Sequence, residues 1–357
     1  IALLAATTTL GVVVQALVLV PVLHRNGFRW RPRWGLRGVG MRTAGRVAGW
    51  TFSAVAVQQL AFVLTSKVIN AGARSAADAG ARVQAGRFVF DNANLLFMLP
   101  HSLVAVSLVT ALFTRMSHAA AAGDTAGIRA DLSLGLRSTG VATVLSTVAF
   151  LVLGHDAAAL IFLGNGPDAV DALYLVTLAM MLGLVPFSAQ YLLQRVFYAF
   201  EDARTPFRVQ VLVSLIWTAG NLLSLFLLPG RWVTVGVGVA MGTSSLFGAG
   251  LSLFLLRRRI GSTDGTAVLG SHVRFAIAAV GAGSAAWLAS SGVHLVAGSG
   301  RVAALLALAV AGPVMLGLYA GLLRSMRADE MDALLAPVLR RVGRGGGNRP
   351  DGRHVAP

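Results

Sequence analysis

Residues 88–116 read FVFDNANLLFMLPHSLVAVSLVTALFTRM, a continuous run of mostly apolar residues with a few polar ones and one proline. A helix needs about 20 such residues to cross the hydrocarbon core of a bilayer. A transmembrane barrel would instead show alternating segments of about ten residues. The run therefore predicts a membrane-spanning helix.

Eight further stretches meet the same standard, so the sequence predicts an all-α polytopic membrane protein with about nine transmembrane helices. The predicted spans are residues 1–24, 44–70, 88–116, 138–163, 170–197, 209–228, 233–256, 273–297 and 302–323. The composition agrees, because the chain is 56% hydrophobic and 12% charged, where soluble domains are about 25% charged. The absence of cysteine excludes disulfides and thiolate metal sites.

The formal net charge of +16 at pH 7 would favour a nucleic-acid ligand if the positions of the charges were ignored. Alternating the spans from the arginine-rich loop at residues 25–46 places 24 of the 29 arginines on one side, which the positive-inside rule assigns to the cytoplasm. We therefore expect a multi-pass membrane protein with a cytoplasmic C-terminus. We expect its positive charge to interact with anionic phospholipids and not with nucleic acid. The implied outside N-terminus predicts an odd number of further helices upstream.

Three local patterns add expectations. Residues 123–137 carry apolar side chains four apart and predict a short helix lying at the membrane interface. Residues 329–341 predict a second short helix, and the chain after about residue 343 is expected to be disordered. Glycine pairs with GxxxG spacing predict close helix packing at 45/49, 238/242 and 317/321.

Polar residues inside membrane spans are costly and often line a water-filled cavity. The cavity candidates are Gln59, Lys67, Asp91, Asn94, His101, Gln210 and Asn221. Each also has a purely structural interpretation. Lys67 can snorkel to the interface, Asp91 can favour a helix N-terminus, and His101 can be a hydrogen-bonded neighbour of the Pro100 kink. The amides on the sixth span can bond between helices.

No catalytic arrangement is evident in the sequence. The acidic residues lie mostly in loops and the tail, and no two histidines share a helix face with metal-ligand spacing. No phosphate-binding glycine motif occurs with its flanking strand and helix. The chain is therefore expected not to be an enzyme, and to use neither a metal nor a cofactor.

The strings at residues 100–117, 197–206 and 11–28 resemble the MurJ/MviN family. Residues 100–117, PHSLVAVSLVTALFTRMS, are similar to the family pattern P-x-G-V-x-x-V-x-x-x-T-x-L-x-P-x-L-S. Residues 197–206, FYAFEDARTP, are similar to the family's F-Y-A-x-x-D-x-x-T-P cytoplasmic loop. A third match consists of Gly11, Gln15, Pro21 and Leu23, followed by the Gly-Phe pair at 27–28.

The resemblance implies a lipid II flippase of the multidrug/oligosaccharidyl-lipid/polysaccharide exporter superfamily, with 14 helices in two six-helix lobes and a final helix pair. By this mapping residues 1–24 are the last helix of the N-terminal lobe, and residues 44–256 are the C-terminal six-helix lobe. Residues 273–323 are a pair lining a lipid-tail groove, and residues 324–357 form a cytoplasmic tail. Five helices would then precede the chain. The implied activity moves an undecaprenyl-pyrophosphate-linked disaccharide-pentapeptide outward by alternating access, with the membrane potential or an ion gradient as the energy source.

The resemblance also implies a cytoplasmic gate at the loop that contains residues 197–206. The gate candidates are Arg195, Glu201, Asp202, Arg204, Thr205, Pro206 and Arg208. We expect Glu201 and Asp202 to form ion pairs with Arg204 and Arg208, and Pro206 to begin the next helix. The alternative is a constrained turn without a gating role.

The sequence departs from the family at the eighth helix, where Asn94-Leu95 stands in place of an Asp-Arg pair that faces the cavity. Lys67 is the candidate to replace that positive charge. The departure keeps open another lipid-linked polysaccharide exporter, a multidrug antiporter of the same superfamily, and a non-transporting scaffold that binds cell-wall synthesis proteins. A membrane enzyme acting on polyprenyl phosphate would need more acidic residues than Glu201 and Asp202 supply.

Overall fold

The computed structural model describes residues 2–25, 27, 41–81, 85–162 and 166–326, and this part of the chain contains helices and no strand. The helices are α1 Ala2–Arg25, α2 Met41–Asp78, α3 Arg87–Pro100, α4 Ser107–Ala121, α5 Thr125–Ile161, α6 Pro167–Met181, α7 Leu184–Ala199, α8 Arg204–Leu227, α9 Gly230–Ile260, α10 Gly265–Ala297 and α11 Arg301–Ser325. A π-helical segment, His101–Val106, joins α3 to α4. The predicted all-α class is confirmed.

In the described part of the chain, seven helices are long and apolar enough to cross a membrane, and the count becomes eight if the bent pair α6–α7 is one span. In α1 the apolar stretch Thr9–Arg25 is shorter than these spans. The chain divides into two units, Ile1–Arg46 and Val47–Pro357, and the second holds most of α2 and all of α3 to α11. The predicted short helix at residues 329–341 and the predicted disorder after residue 343 lie outside the described residues.

The long helix α5 connects all three apolar clusters of the second unit. Ile128 near its start packs in a cluster with α4, α7 and α9. Val141 belongs to a cluster with α10 and α11, and Ala158 to one with α3, α6 and α9. The 37 residues of α5 extend roughly 55 Å at 1.5 Å per residue, well beyond the hydrocarbon core.

The predicted separate interfacial helix at residues 123–137 is wrong, because this segment is the first part of α5. Asp124 caps the helix by accepting a 2.8 Å hydrogen bond from the Gly127 N–H. Gly123 precedes it with φ +71°, a left-handed conformation that favours glycine. The apolar side chains that suggested membrane contact, Ile128 and Leu132, are fully buried against the protein.

Pro100 interrupts the third predicted span without ending it. Proline has no N–H and its ring crowds the carbonyl four residues earlier, which disturbs regular α-helical hydrogen bonding. The chain responds with the π-helical turn His101–Val106 and then resumes as α4. Such π-helical turns often occur at functional sites. The result is one span, Arg87–Ala121, whose middle turn presents His101 to the protein interior.

Glycines let the α6–α7 bend approach α9. The two helices meet at a 45° angle next to Gly183. A methyl group at Gly242 would lie 3.2 Å from the Gly183 Cα, and one at Gly238 would lie 3.0 Å from the Ala179 Cβ. The GxxxG pair 238/242 therefore makes close contacts. Among the described residues, no atom lies within 4 Å of a methyl group added at the pairs 45/49 and 317/321, so close packing there stays a prediction.

Three polar contacts join the α10–α11 pair to α5. The Tyr319 hydroxyl donates a 2.8 Å hydrogen bond to the Val141 carbonyl. Nearer the other end, Nε2 of His294 lies 2.9 Å from Asp156, and the Ser290 hydroxyl donates to the same carboxylate at 3.2 Å. Asp156 is buried, so these two side chains supply the partners that its carboxylate requires.

Leucine at position 238 is expected to destabilise the protein, because its side chain would press on the α6 backbone near Val176 and Met180. Overpacking of this kind costs about 1–3 kcal/mol. Gly317→Leu is the matched control, since it adds the same side chain to a helix at a position with open space. Thermal unfolding of the purified protein in detergent should show a clear loss of Tm for Gly238→Leu alone. Equal losses in both variants would contradict the packing described.

Candidate functional site

A cavity of about 620 Å³ lies among α2, α3, α7, α8 and α9. Four of the seven sequence-predicted cavity residues line it, and they come from four different elements. These are Gln59 of α2, Asn94 of α3, His101 of the π-helical turn and Gln210 of α8. Several helices thus turn polar side chains toward one space, as in membrane proteins with a water-filled cavity.

One face of α7 lines the same cavity, and sequence reasoning missed most of it. The face consists of Phe187, Gln190, Tyr191, Gln194, Arg195 and Tyr198. Their spacing of three and four residues matches one side of a helix, so the polar stripe was visible in the sequence. Of these six residues only Arg195 was singled out, and it was assigned to the cytoplasmic gate.

Arg195 is the only Lys, Arg, Asp or Glu side chain on the described cavity lining. Its guanidinium donates a 2.6 Å hydrogen bond to the Tyr191 hydroxyl and lies 4.6 Å from the centroid of the same ring. The Tyr198 ring is 5.9 Å away on the same helix face. Aromatic faces attract a guanidinium by cation–π interaction. The two tyrosines therefore hold the cavity's positive charge in place.

His101 is held in the wall of the cavity by α7. Its Nδ1 lies 2.9 Å from the Ser188 Oγ. The imidazole packs edge-on against Phe187 and Tyr191, with centroid distances of 4.8 and 5.2 Å. His101 is thus both a hydrogen-bonded neighbour of the Pro100 kink and part of the cavity lining.

The other three cavity candidates lie elsewhere. Lys67 is an exposed residue of α2. Asp91 pairs with Arg87 one turn earlier at 2.7 Å, and that guanidinium also bonds Ser66 of α2. Asn221 is buried and donates a 2.8 Å hydrogen bond to the Thr65 hydroxyl, which joins α8 to α2. Asp91 therefore pairs within α3 with the arginine that contacts α2, and Asn221 connects α8 to α2.

The turn between α7 and α8 is organised by Asp202. Its carboxylate accepts hydrogen bonds from the Thr205 N–H at 3.1 Å and the Thr205 hydroxyl at 2.8 Å, and so caps the first turn of α8. Glu201 precedes it in the left-handed region with φ 56°. The helix begins at Arg204, so the expectation that Pro206 would start it is wrong by two residues; Pro206 is buried and lines the cavity.

The ion pair at this turn has a different partner from the one predicted. Asp202 pairs with Arg259 at the end of α9, with 2.9 Å between Nη1 and Oδ2. Within the described chain neither Arg204 nor Arg208 lies within 4 Å of a carboxylate; Arg204 instead lies over the Trp50 ring of α2, at 5.9 Å. Ion pairs between Asp202 or Glu201 and these two arginines were therefore a wrong prediction. The pair that forms ties the turn to α9.

Metal binding has no visible basis in the described ranges, where no three His, Asp or Glu side chains are grouped to hold an ion. What the described part does offer is a polar cavity between membrane helices, with one fixed positive charge. Helices with polar faces around a central cavity are characteristic of membrane transporters. The class is thus a multi-pass helical membrane protein of transporter type.

Comparison with known proteins gives the family. Residues 1–306 match the family MurJ, described as lipid II flippase MurJ. This chain belongs to the MurJ lipid II flippase family, which is a transporter family and not a catalytic one.

Two solved structures share the fold. A lipid II flippase MurJ in an inward closed conformation is 17% identical with a TM-score of 0.59, over 77% of this chain and 53% of that one. A MOP superfamily transporter from Pyrococcus furiosus is 14% identical with a TM-score of 0.50, over 82% of this chain and 68% of that one. The reversed polarity of that transporter's binding pocket suggests a different function for it. The chain spans about half the length of the MurJ structure that it matches.

The Asp202–Arg259 contact is expected to contribute a coupling energy of about 0.2–1 kcal/mol, because both side chains are partly exposed. A double-mutant cycle with Asp202→Asn and Arg259→Gln, read as thermal stability in detergent, measures it. The same cycle with Arg208→Gln is the control and should give no coupling, since Arg208 has no carboxylate in reach. Equal coupling to both arginines would refute the assigned pair.

Proposed function

We propose that the protein containing this chain moves lipid II across the bacterial cytoplasmic membrane. The observation that carries the proposal is the polar cavity between membrane spans in a chain of the MurJ family. The undecaprenyl tail of lipid II can stay in the bilayer, whereas its pyrophosphate, sugars and peptide cannot cross hydrocarbon without polar partners. A cavity that replaces water around this head group lowers that barrier.

In this proposal the head group crosses by alternating access. The cavity opens first to the inner leaflet and then to the outer one, as helices move relative to one another around the bound head group. The Asp202–Arg259 pair joins the α7–α8 turn to the end of α9. The movement of these helices during transport determines whether this ion pair breaks or stays in place. The membrane potential supplies about 2.3 kcal/mol per charge per 100 mV for any charge that moves across.

The arginine distribution supports a cytoplasmic C-terminus in this proposal. The triplet Arg257, Arg258 and Arg259 ends α9, and Arg324 ends α11. Positive residues next to spans mark the cytoplasmic side and favour contact with anionic phospholipids. The α7–α8 turn and the end of α9 then lie on the cytoplasmic side together. Proteins of cell-wall synthesis are the partners that fit a lipid II flippase.

Transport of a different lipid-linked saccharide is the second candidate. The observation that favours it is the cavity's charge, because only Arg195 is available on the described lining to meet a pyrophosphate. A multidrug antiporter for cationic drugs fits less well, since the described lining holds no carboxylate to neutralise a cation. A scaffold without transport activity would not need the cavity to be polar.

Expression of the complete protein should restore growth of a bacterial strain depleted of its own lipid II flippase, and should restore lipid II in the outer leaflet. Arg195→Gln should reduce rescue strongly, because it removes the only permanent positive charge on the described part of the cavity lining. Arg231→Gln is the matched control, since it removes the same charge from a position outside the cavity.

Growth of the depleted strain and labelling of lipid II at the cell surface are both measured, with membrane levels of each variant checked by immunoblot. Failure of the well-expressed wild-type protein to restore either would contradict the lipid II assignment. If the Arg195 and Arg231 variants rescue growth equally, the transport proposal stands but Arg195 has no role in transport.

A further inference from the structure

Carboxamide side chains dominate the polar lining of the cavity. Six of them reach it from four helices: Gln58, Gln59, Asn94, Gln190, Gln194 and Gln210. Elsewhere in membrane helices such side chains bond to a neighbouring helix or to backbone, as Asn221 does with Thr65. A cluster of amides around one space is therefore a specific chemical surface.

Five of the six carboxamides have no hydrogen-bond partner within the part of the chain that the structure describes. Only Gln210 has one, donating to the Ser214 hydroxyl at 3.1 Å. Gln190 is the most informative of the others, because the residue is only 7% exposed and still lines the cavity. Its amide borders the cavity and has no partner among the described residues, so it is available to hydrogen-bond a ligand.

An indole N–H in the cavity wall also lacks a hydrogen-bond partner among the described residues. The Nε1 of Trp217 on α8 is buried and has no acceptor among the described residues, and Trp217 also lines the cavity. An amide offers two donors and two acceptor sites, while an indole offers one donor. The amides of the described lining thus present neutral donors and acceptors beside the guanidinium of Arg195, and Trp217 lines the same cavity.

We propose that this carboxamide cavity binds the uncharged, amide- and hydroxyl-bearing part of the transported head group, the N-acetylated sugars and peptide, and not its pyrophosphate. The proposal rests on the proposed lipid II function. Neutral amides match the donor and acceptor pattern of peptide and acetamido groups, whereas a pyrophosphate is bound by several cations or by bidentate arginines. Arg195 alone, already bonded to Tyr191, does not supply that set.

The test uses the complete protein in lipid nanodiscs and three probes. Lipid II carries every part of the head group, undecaprenyl pyrophosphate lacks sugars and peptide, and the soluble disaccharide-pentapeptide lacks pyrophosphate and tail. Binding is followed by intrinsic fluorescence, in which Trp217 should respond to the disaccharide-pentapeptide. The response should disappear in Trp217→Phe, because that variant removes the fluorophore facing the cavity.

Gln190→Leu and Gln194→Leu, which keep much of the side-chain bulk while removing the amide, should weaken binding of lipid II and of the disaccharide-pentapeptide about tenfold each. Binding of undecaprenyl pyrophosphate should be unchanged. Asn94→Leu should behave like the glutamine variants. Asn92→Leu on the same helix is the control, because Asn92 lies outside the cavity and bonds the Phe88 carbonyl.

The outcomes separate the two proposals. If lipid II binds and the amide variants leave its affinity unchanged, or weaken undecaprenyl pyrophosphate equally, the carboxamide site is refuted while the flippase function stands. If the disaccharide-pentapeptide binds through these amides but lipid II does not, the site stands and the lipid II function is refuted. If neither lipid II nor the disaccharide-pentapeptide binds, both proposals are overturned.

Discussion

Hydrocarbon offers no hydrogen bonds, and this constraint governs where every polar group of the chain can lie. Helices satisfy their own backbone, and many hydroxyl side chains do the same by bonding to the carbonyl four residues earlier. Thr65, Thr143 and Thr177 all do this at 2.7–3.0 Å. Amides without a partner, such as Gln190 and Gln194, differ from these hydroxyls. They are tolerated only where water, a ligand or another polar group can hydrogen-bond to them.

The cavity combines this neutral polarity with a charge that is restrained by aromatic rings. Arg195 is stacked on Tyr191 and bonded to its hydroxyl, so little side-chain freedom remains to be lost when a ligand arrives. The same α7 face carries the amides and contacts His101 through Phe187 and Tyr191. One face of α7 thus contacts both the cavity and the residue that follows Pro100.

Local patterns made much of this structure predictable. Continuous apolar runs predicted the spans, and helical spacing found Gln59, Asn94, His101 and Gln210. The stripe on α7 carried the same signal and was overlooked. Helix ends were less predictable, since α5 begins at Thr125 and not near residue 138. Its first turns pack against protein, so their apolar spacing resembled that of an interfacial helix.

Long-range partners could not be predicted from one sequence. Asp202 lies 57 residues from Arg259, and Asn221 lies 156 from Thr65, so neither spacing implies a contact. Nearby arginines at 204 and 208 were the obvious partners for Asp202. The structure instead brings the end of α9 to the turn, because α7 and α9 pack along each other in the cluster that contains Val196 and Leu256.

The position of α5 has a consequence for how the protein is made. Its Val141 carbonyl is bonded by Tyr319, which lies 178 residues later in the chain. A ribosome adding about 5–20 residues per second needs roughly 10–35 s to reach that tyrosine. During this interval the side of α5 that will receive α10 and α11 faces lipid or the insertion machinery. Its Val141 and Leu153 suit a temporary lipid neighbour, whereas the buried Asp156 must wait for His294.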